Sequence, residues 1–307
     1  MNQFDEEAIK SYLKAGKISA DVKKRAKAII KEGARLLDIA EEIERSIKEQ
    51  GGDLAFPVNL SFGNIAAHYS PIAYSMDKLE GKGILKVDIG VHVGGYIADT
   101  AISIDLSGEN EDLVKASEEA IERVKNTIYP GIKISQLSEI IEKTIRSYGA
   151  VPIRNLTGHG LDRYKLHTGL SIPNVNTFGI RGSLQKNSAV AIEPFATRGT
   201  GYVVDGDFIG IYSLHNIPSK KLKGLTEDAK NLYEIIFNER RELPFSERWY
   251  VSKISLVKFR DSLSELVNKG VAQEYPVLIE VSGSQVAQYE ESFLLLDREV
   301  IAYTAEK

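Results

Sequence analysis

Apolar residues return every three to four positions along residues 19–50, at Ala26, Ile29, Ile30, Ala34, Leu37, Ala40 and Ile43. That is the period of a helix with one buried face. Ser19 is expected to cap this helix and Gly51-Gly52 to stop it, with Gly16 closing a shorter helix before it. "LAFPVNLSFGNIAAHYSP" then reads as strand followed by loop. Residues 84–106, "ILKVDIGVHVGGYIADTAISIDL", are two apolar runs joined by Gly94-Gly95 and predict a β-hairpin with a two-residue turn. Helices are expected at about 110–128, ending before Tyr129-Pro130-Gly131, and at 135–148, closed by Gly149. Residues 151–215 read as short strands and loops. From 216 the pattern changes to two amphipathic helices and then strand-like sequence, in the helix, helix, β-pair order of a winged helix. The expected organisation is an α+β body of residues 1–215 and 276–307 with an inserted helical subdomain at 216–275.

The hairpin carries an aspartate in each apolar arm, Asp88 and Asp99. Pairing about a Gly94-Gly95 turn sets Gly90 opposite Asp99 and Asp88 opposite Ala101. Both carboxylates then share one face as diagonal neighbours, roughly 7–8 Å apart at their Cα atoms. Gly90 has no side chain, so nothing is expected to fill the space between them. Two buried, unpaired acids repel, and one is driven to keep its proton unless a cation intervenes. The hairpin contains no Arg or Lys beyond Lys86, so a divalent ion is one resolution. A pair of solvated aspartates on an edge hairpin is the other.

Composition narrows the classes. The 307 residues are 43% hydrophobic, enough for a sizeable core, and the net charge of −4 gives no basic excess for nucleic acid. There is no cysteine, which excludes thiolate metal sites and cysteine nucleophiles. The acidic start "MNQFDEEAIKSYLKAG" does not read as a signal peptide, and no apolar run reaches membrane-spanning length. A soluble cytoplasmic monomer is expected.

Further candidate ligands lie downstream. His159 and His167 stand in "GHGLDRYKLH", Glu193 ends the apolar run "SAVAIE" before Pro194, and Glu290 precedes "ESFLLL". Each alone is an ordinary polar residue. Together, four carboxylates and one imidazole at strand positions suit hard or borderline divalent ions such as Co, Mn, Fe or Zn. His92 is expected to cap the end of the hairpin, and His215 to be structural or to border the pocket.

The order Asp, Asp, His, Glu, Glu resembles the dinuclear pita-bread metallopeptidases, which include methionine aminopeptidases, prolidases and creatinase. "FPVNLSFGNIAAHYSP", "VDIGVHVGGYIADTA", "GHGLDRYKLH" and "IEPFATRGTG" are similar in particular to the archaeal style of type 2 methionine aminopeptidase, across essentially the whole chain. The resemblance implies a pita-bread fold and two divalent ions. Asp88 would hold one, Asp99 and Glu290 would bridge both, and His159 and Glu193 would complete the second. It implies that His68 lies near the scissile amide and His167 near the substrate carbonyl, with Phe56, Leu166 and Tyr275 lining a methionine pocket. The implied activity removes the N-terminal methionine of nascent chains before a small, uncharged second residue. Hydroxide activated by two metals attacks the first peptide bond, the free α-amine binds at a metal, and Glu193 moves a proton. One departure stands out: the family commonly reads Glu-His-Thr at its last ligand, and this chain reads Glu290-Glu291-Ser292. A proline-directed peptidase of the same fold and a non-enzymatic ribosome- or RNA-associated relative are the competing readings.

Overall fold

The computed structural model describes residues 4–306. Helix α1 (Glu6–Ile29) begins at Asp5, whose side chain accepts a hydrogen bond from Ala8 N–H, and runs without interruption through Gly16 and Ser19. The chain leaves the helix at 30–35 and re-enters it as α2 (Leu36–Glu49). This corrects the expected division at Gly16. The break is made by tertiary pairing: Gly33 N–H donates to Leu79, Leu79 N–H to Ala34 and Leu36 N–H to Asp77. Ser19 is an interior residue whose hydroxyl donates back to the Gly16 carbonyl at 2.8 Å. Gly16 is there for close approach, since a Cβ on it would lie 2.0 Å from the Tyr303 carbonyl oxygen. Gly16→Ala, which favours an isolated helix by about 1 kcal/mol, should therefore destabilise this protein by about 1–3 kcal/mol through overpacking. A lowered urea midpoint at unchanged slope is the expected reading.

Strands β1 (Asp53–Leu54), β2 (Asn59–Phe62) and β3 (Ile65–Ala67) lead to the hairpin of β4 (Ile84–Val93) and β5 (Tyr96–Asp105). Its register is the expected one, with Gly90 opposite Asp99 and Asp88 opposite Ala101. Gly94 and Gly95 both take positive φ, 58° and 91°, as a tight two-residue turn requires. Leu85, Val87, Ile89 and Val91 join α1 and α2 in one apolar core, so strand alternation turns Asp88 and Gly90 to the opposite face. His92 caps the hairpin end as expected, its Nδ1 accepting from Gly95 N–H at 3.3 Å.

Helices α3 (Glu111–Lys125) and α4 (Ile134–Ser147) follow, then β6 (Val151–Pro152), β7 (Thr157–Leu161), β8 (Ser171–Pro173), β9 (Ser188–Ile192), β10 (Phe195–Thr197) and β11 (Val203–Leu214). After β11 come α5 (Ser219–Leu222), α6 (Glu227–Arg240) and α7 (Leu256–Asn268), and the chain returns through β12 (Ala272–Glu280), β13 (Val286–Gln288), β14 (Glu291–Leu295) and β15 (Val300–Ala302). Strands β15, β14, β9, β7 and β8 form a sheet in that order, covered by α3 and α4 through a second apolar core. The α+β expectation is met. The two packed units leave the free face of the hairpin and the ends of β7, β9 and β14 turned toward one another. Among the described residues no helix is long and apolar enough to cross a membrane.

Candidate metal centre and active site

One cavity is lined by Phe56, His68, Asp88, Asp99, His159, Leu166, His167, Glu193, Tyr275 and Glu290, the ten residues singled out from the sequence. Asn59, Ala67, Ile211 and Pro244 complete its wall. Asp88 and Asp99 come from the two arms of the hairpin, and His159 from the middle of β7. Glu193 follows the last residue of β9, where Pro194 ends the strand. Glu290 occupies the gap between β13 and β14 rather than the interior of a strand. Its backbone N–H donates to Ala101 at 3.0 Å, the partner of Asp88. The hairpin and the C-terminal strands are thereby joined at the carboxylates themselves.

Ligand-type atoms of Asp99, His159 and Glu290 all lie within 4.8 Å of one another. His159 Nε2 is 3.6 Å from Asp99 Oδ2 and 3.8 Å from Glu193 Oε1. Buried Asp88 Oδ1, Asp99 Oδ1, Glu290 Oε1 and His159 Nδ1 have no hydrogen-bond partner among the described residues. Burial pushes the Asp88 carboxyl up to about 7. Burial first, and then the neighbouring Asp88 and Glu193, holds Asp99 well above the usual carboxylate range. Burial and then the surrounding acids raise Glu193 and Glu290 likewise. Burial, then the adjacent His167, lowers His159 to about 3, so its imidazole is neutral and free to ligate. Four acids that repel one another, Asp99 and Glu290 buried and Asp88 and Glu193 half-buried, with orphaned oxygens and a neutral imidazole, fit a divalent cation.

The space above Gly90 is filled, contrary to the reading of the hairpin alone. A Cβ there would lie 2.3 Å from the Phe56 ring, so the glycine lets an apolar wall close against the acids. Glu291, the residue that departs from the family pattern, lies outside this cluster. Strand alternation turns it away from Glu290, and it forms a buried ion pair with Lys23 of α1 at 2.8 Å, both side chains at most 2% exposed. Thr304 donates to its other oxygen. Its charge is thus matched on the far side of the sheet from the cavity.

His68 has φ 68°, a strained conformation for a side chain with a Cβ. Its Nδ1 must donate to the Pro276 carbonyl, 3.1 Å away, so the neutral ring presents Nε2 as an acceptor. Burial lowers its pKa and favours that neutral form. The following residues are clamped from afar. Arg248 donates to Ser70 Oγ at 3.0 Å and to the Pro71 carbonyl at 2.7 Å, and is itself held by Glu44. His167 packs against His159 with ring centroids 4.3 Å apart.

Sequence reading missed three contributors. Gln288 lies 3.4 Å by its Nε2 from both Glu193 Oε2 and Glu290 Oε2. Its position two residues before Glu290, on the same side of the chain, was the available signal. Asn59 pairs directly with Asp88 across β2 and β4. For Arg248 no local signal exists, because its partners lie 177 and 178 residues away.

Residues 10–228 match the metallopeptidase family M24. The chain is 39% identical over 300 residues to the methionine aminopeptidase of Saccharolobus solfataricus, covering 97% of this chain and 98% of that one. It is 43% identical over 284 residues to that of Thermococcus onnurineus, covering 92% and 95%. The solved structure of a thermophilic Arx1 superposes with a TM-score of 0.85 at 16% identity, over 98% of this chain and 91% of that one, a likeness of fold alone. The fold is the pita-bread arrangement that the motifs implied. A cavity of ligating acids on that fold, together with relatives that align from end to end, leads to one assignment: the chain belongs to metallopeptidase family M24.

Proposed function

We propose that this protein is a methionine aminopeptidase, removing the N-terminal methionine of peptides and nascent proteins whose second residue is small and uncharged. The observation that carries this is the convergence of buried, mutually repelling carboxylates with an apolar wall of Phe56, Leu166, Ile211 and Tyr275 in one cavity. End-to-end relatives named methionine aminopeptidase support the same reading. Asp88, Asp99, His159, Glu193 and Glu290 hold two divalent ions, with Co, Mn, Fe or Zn all compatible with the oxygen-rich donors. Divalent ions bound there supply Lewis acidity toward the scissile carbonyl and make water more acidic. Glu193 carries a proton toward the leaving nitrogen. His68 Nε2, as an acceptor, orients the scissile N–H, and His167 faces the carbonyl oxygen. An apolar pocket separates methionine from near neighbours by only about 1–3 kcal/mol, so limited space beside the second residue supplies the remaining selectivity.

The chain beyond the scissile bond leaves through a groove that shares Leu166, His167, Pro244 and Tyr275 with the cavity and continues past His215, Glu242 and Gln273. Residues 216–275 act as an inserted, winged-helix-like subdomain. In support, α6 and α7 pack around an apolar core of their own that includes Leu232, Ile236, Phe259 and Leu266, and β11 and β12 pair as they enter and leave it. Pro244 brings this segment to the cavity wall. A cytoplasmic monomer acting on chains as they leave the ribosome fits the lack of cysteine and of any self-association stripe in the sequence. A proline-directed dipeptidase is disfavoured because end-to-end relatives carry another name, and a non-enzymatic ribosome-associated relative because all five candidate ligands are retained. Chelator-stripped protein reloaded with Co or Mn should release methionine from Met-Ala-Ser and leave Ala-Pro intact. Comparable cleavage of Ala-Pro, or full turnover after the metal is removed, overturns the reading.

A further inference from the structure

His68 holds its φ of 68° between two anchored stretches of chain. On one side β3 pairs with β12. On the other, Ser70, Pro71 and Ala73 are all tied to one short turn of the inserted segment, Glu247–Trp249. Arg248 Nη1 donates to Ser70 Oγ at 3.0 Å and to the Pro71 carbonyl at 2.7 Å. Glu247 accepts from Ala73 N–H at 3.2 Å, and Arg260 grips the same carboxylate at 2.7 and 2.8 Å. Glu44 of α2 closes the clamp. Its carboxylate accepts from Arg248 Nη2, from Trp249 Nε1 at 2.8 Å and from Val58 N–H at 3.2 Å. Ser70 Oγ in turn donates to the Val58 carbonyl at 2.7 Å. Glu44, Ser70 and Arg248 are all buried.

A residue with a Cβ stays at positive φ only where its surroundings over-determine it. If one anchor is released, the relaxed backbone is favoured by roughly 5- to 150-fold, the population equivalent of such strain. Relaxation at residue 68 would swing the ring off the Pro276 carbonyl, 3.1 Å away, that fixes its tautomer. Arg248 lines neither the cavity nor its exit groove, so it can act on the reaction only through what it holds. Its two terminal nitrogens serve three oxygens from separate segments, a span that the single nitrogen of a lysine does not cover. On the reading of this site as an aminopeptidase, the His68 ring orients the scissile N–H. We propose that Arg248, braced by Glu44, is a positioning residue for His68, so that the inserted segment sets the geometry of the reaction from outside the cavity.

The chain has five histidines, few enough to follow each imidazole by NMR in the zinc-loaded full chain. Exchange of the His68 Nδ1–H, which is bonded to Pro276, should quicken about tenfold in Arg248→Lys. It should quicken about threefold in Ser70→Ala, which removes one hydroxyl from the clamp and leaves the Glu44–Arg248 pair in place. The ring N–H of His92, buried on the hairpin, should be unchanged in both. In the cobalt-loaded protein, kcat on Met-Ala-Ser should fall by the same factors, with KM and metal content within about twofold of the natural values. Should Arg248→Lys fail to fold, Ser70→Ala carries the test alone. Unchanged His68 exchange in a folded variant, equal quickening at His92, or quickened exchange with no fall in kcat overturns the proposal. A natural protein that cleaves no Met-peptide sinks the aminopeptidase reading instead, and the exchange rates still decide whether the clamp holds His68.

Discussion

Asp99→Asn should reduce turnover of Met-Ala-Ser by well over 100-fold and abolish tight uptake of divalent metal. Altering an outer partner of a metal ligand costs about 10–100-fold, and Asp99 is placed to ligate directly. It is the carboxylate nearest His159 Nε2, and with His159 and Glu290 it makes up the group of ligand atoms within 4.8 Å. The substitution is nearly isosteric. The backbone of Asp99 is held independently of its side chain, its N–H donating to Ser292 Oγ at 3.0 Å and its carbonyl accepting from that hydroxyl at 2.8 Å. A folded protein without metal is thus the expected product, read by elemental analysis beside steady-state kinetics. Metal retained at the natural protein's stoichiometry with near-normal turnover would remove Asp99 from the centre.

The same cluster should make the metal-free protein lose stability as pH rises. A carboxyl whose pKa is raised by folding keeps a proton that the unfolded chain releases. Its contribution is complete below the unfolded value and disappears as pH climbs through the folded one. For Asp88 that window runs from 3.8 to about 7, worth up to about 4 kcal/mol at 1.36 kcal/mol per pKa unit. Asp99, Glu193 and Glu290 shift in the same direction. Chelated protein should therefore melt at a lower temperature at pH 8 than at pH 5.5, and divalent metal should restore the loss at pH 8. Asp99→Asn, with one acid fewer, should melt above the natural protein at pH 8 in chelator and below it in metal. A melting temperature of the chelated protein that does not change between pH 5.5 and 8 would refute this account.

The hairpin was legible because a period of two and a Gly-Gly turn leave one register, and that register alone brings Asp88 and Asp99 to a common face. The later ligands could be nominated but not placed, since nothing local brings Glu290 against Ala101. Helix α1 was misdivided because a helix-breaking residue and a residue that admits a neighbour are both glycine. Which of the two Gly16 is depends on Tyr303, at the other end of the sequence. Arg248 and Gln288 were missed for a related reason. Charged and amide side chains are ordinary on a surface, and their meaning appears only when distant segments bury them.

The ion pair between Lys23 and Glu291 links helix α1 to the residue next to Glu290. Damage to the N-terminal helix would thus be transmitted through one peptide unit to a ligating carboxylate. A lesion at Lys23, remote from the cavity, would leave the Glu291 carboxylate buried without its cation and would lower stability and retention of divalent metal together.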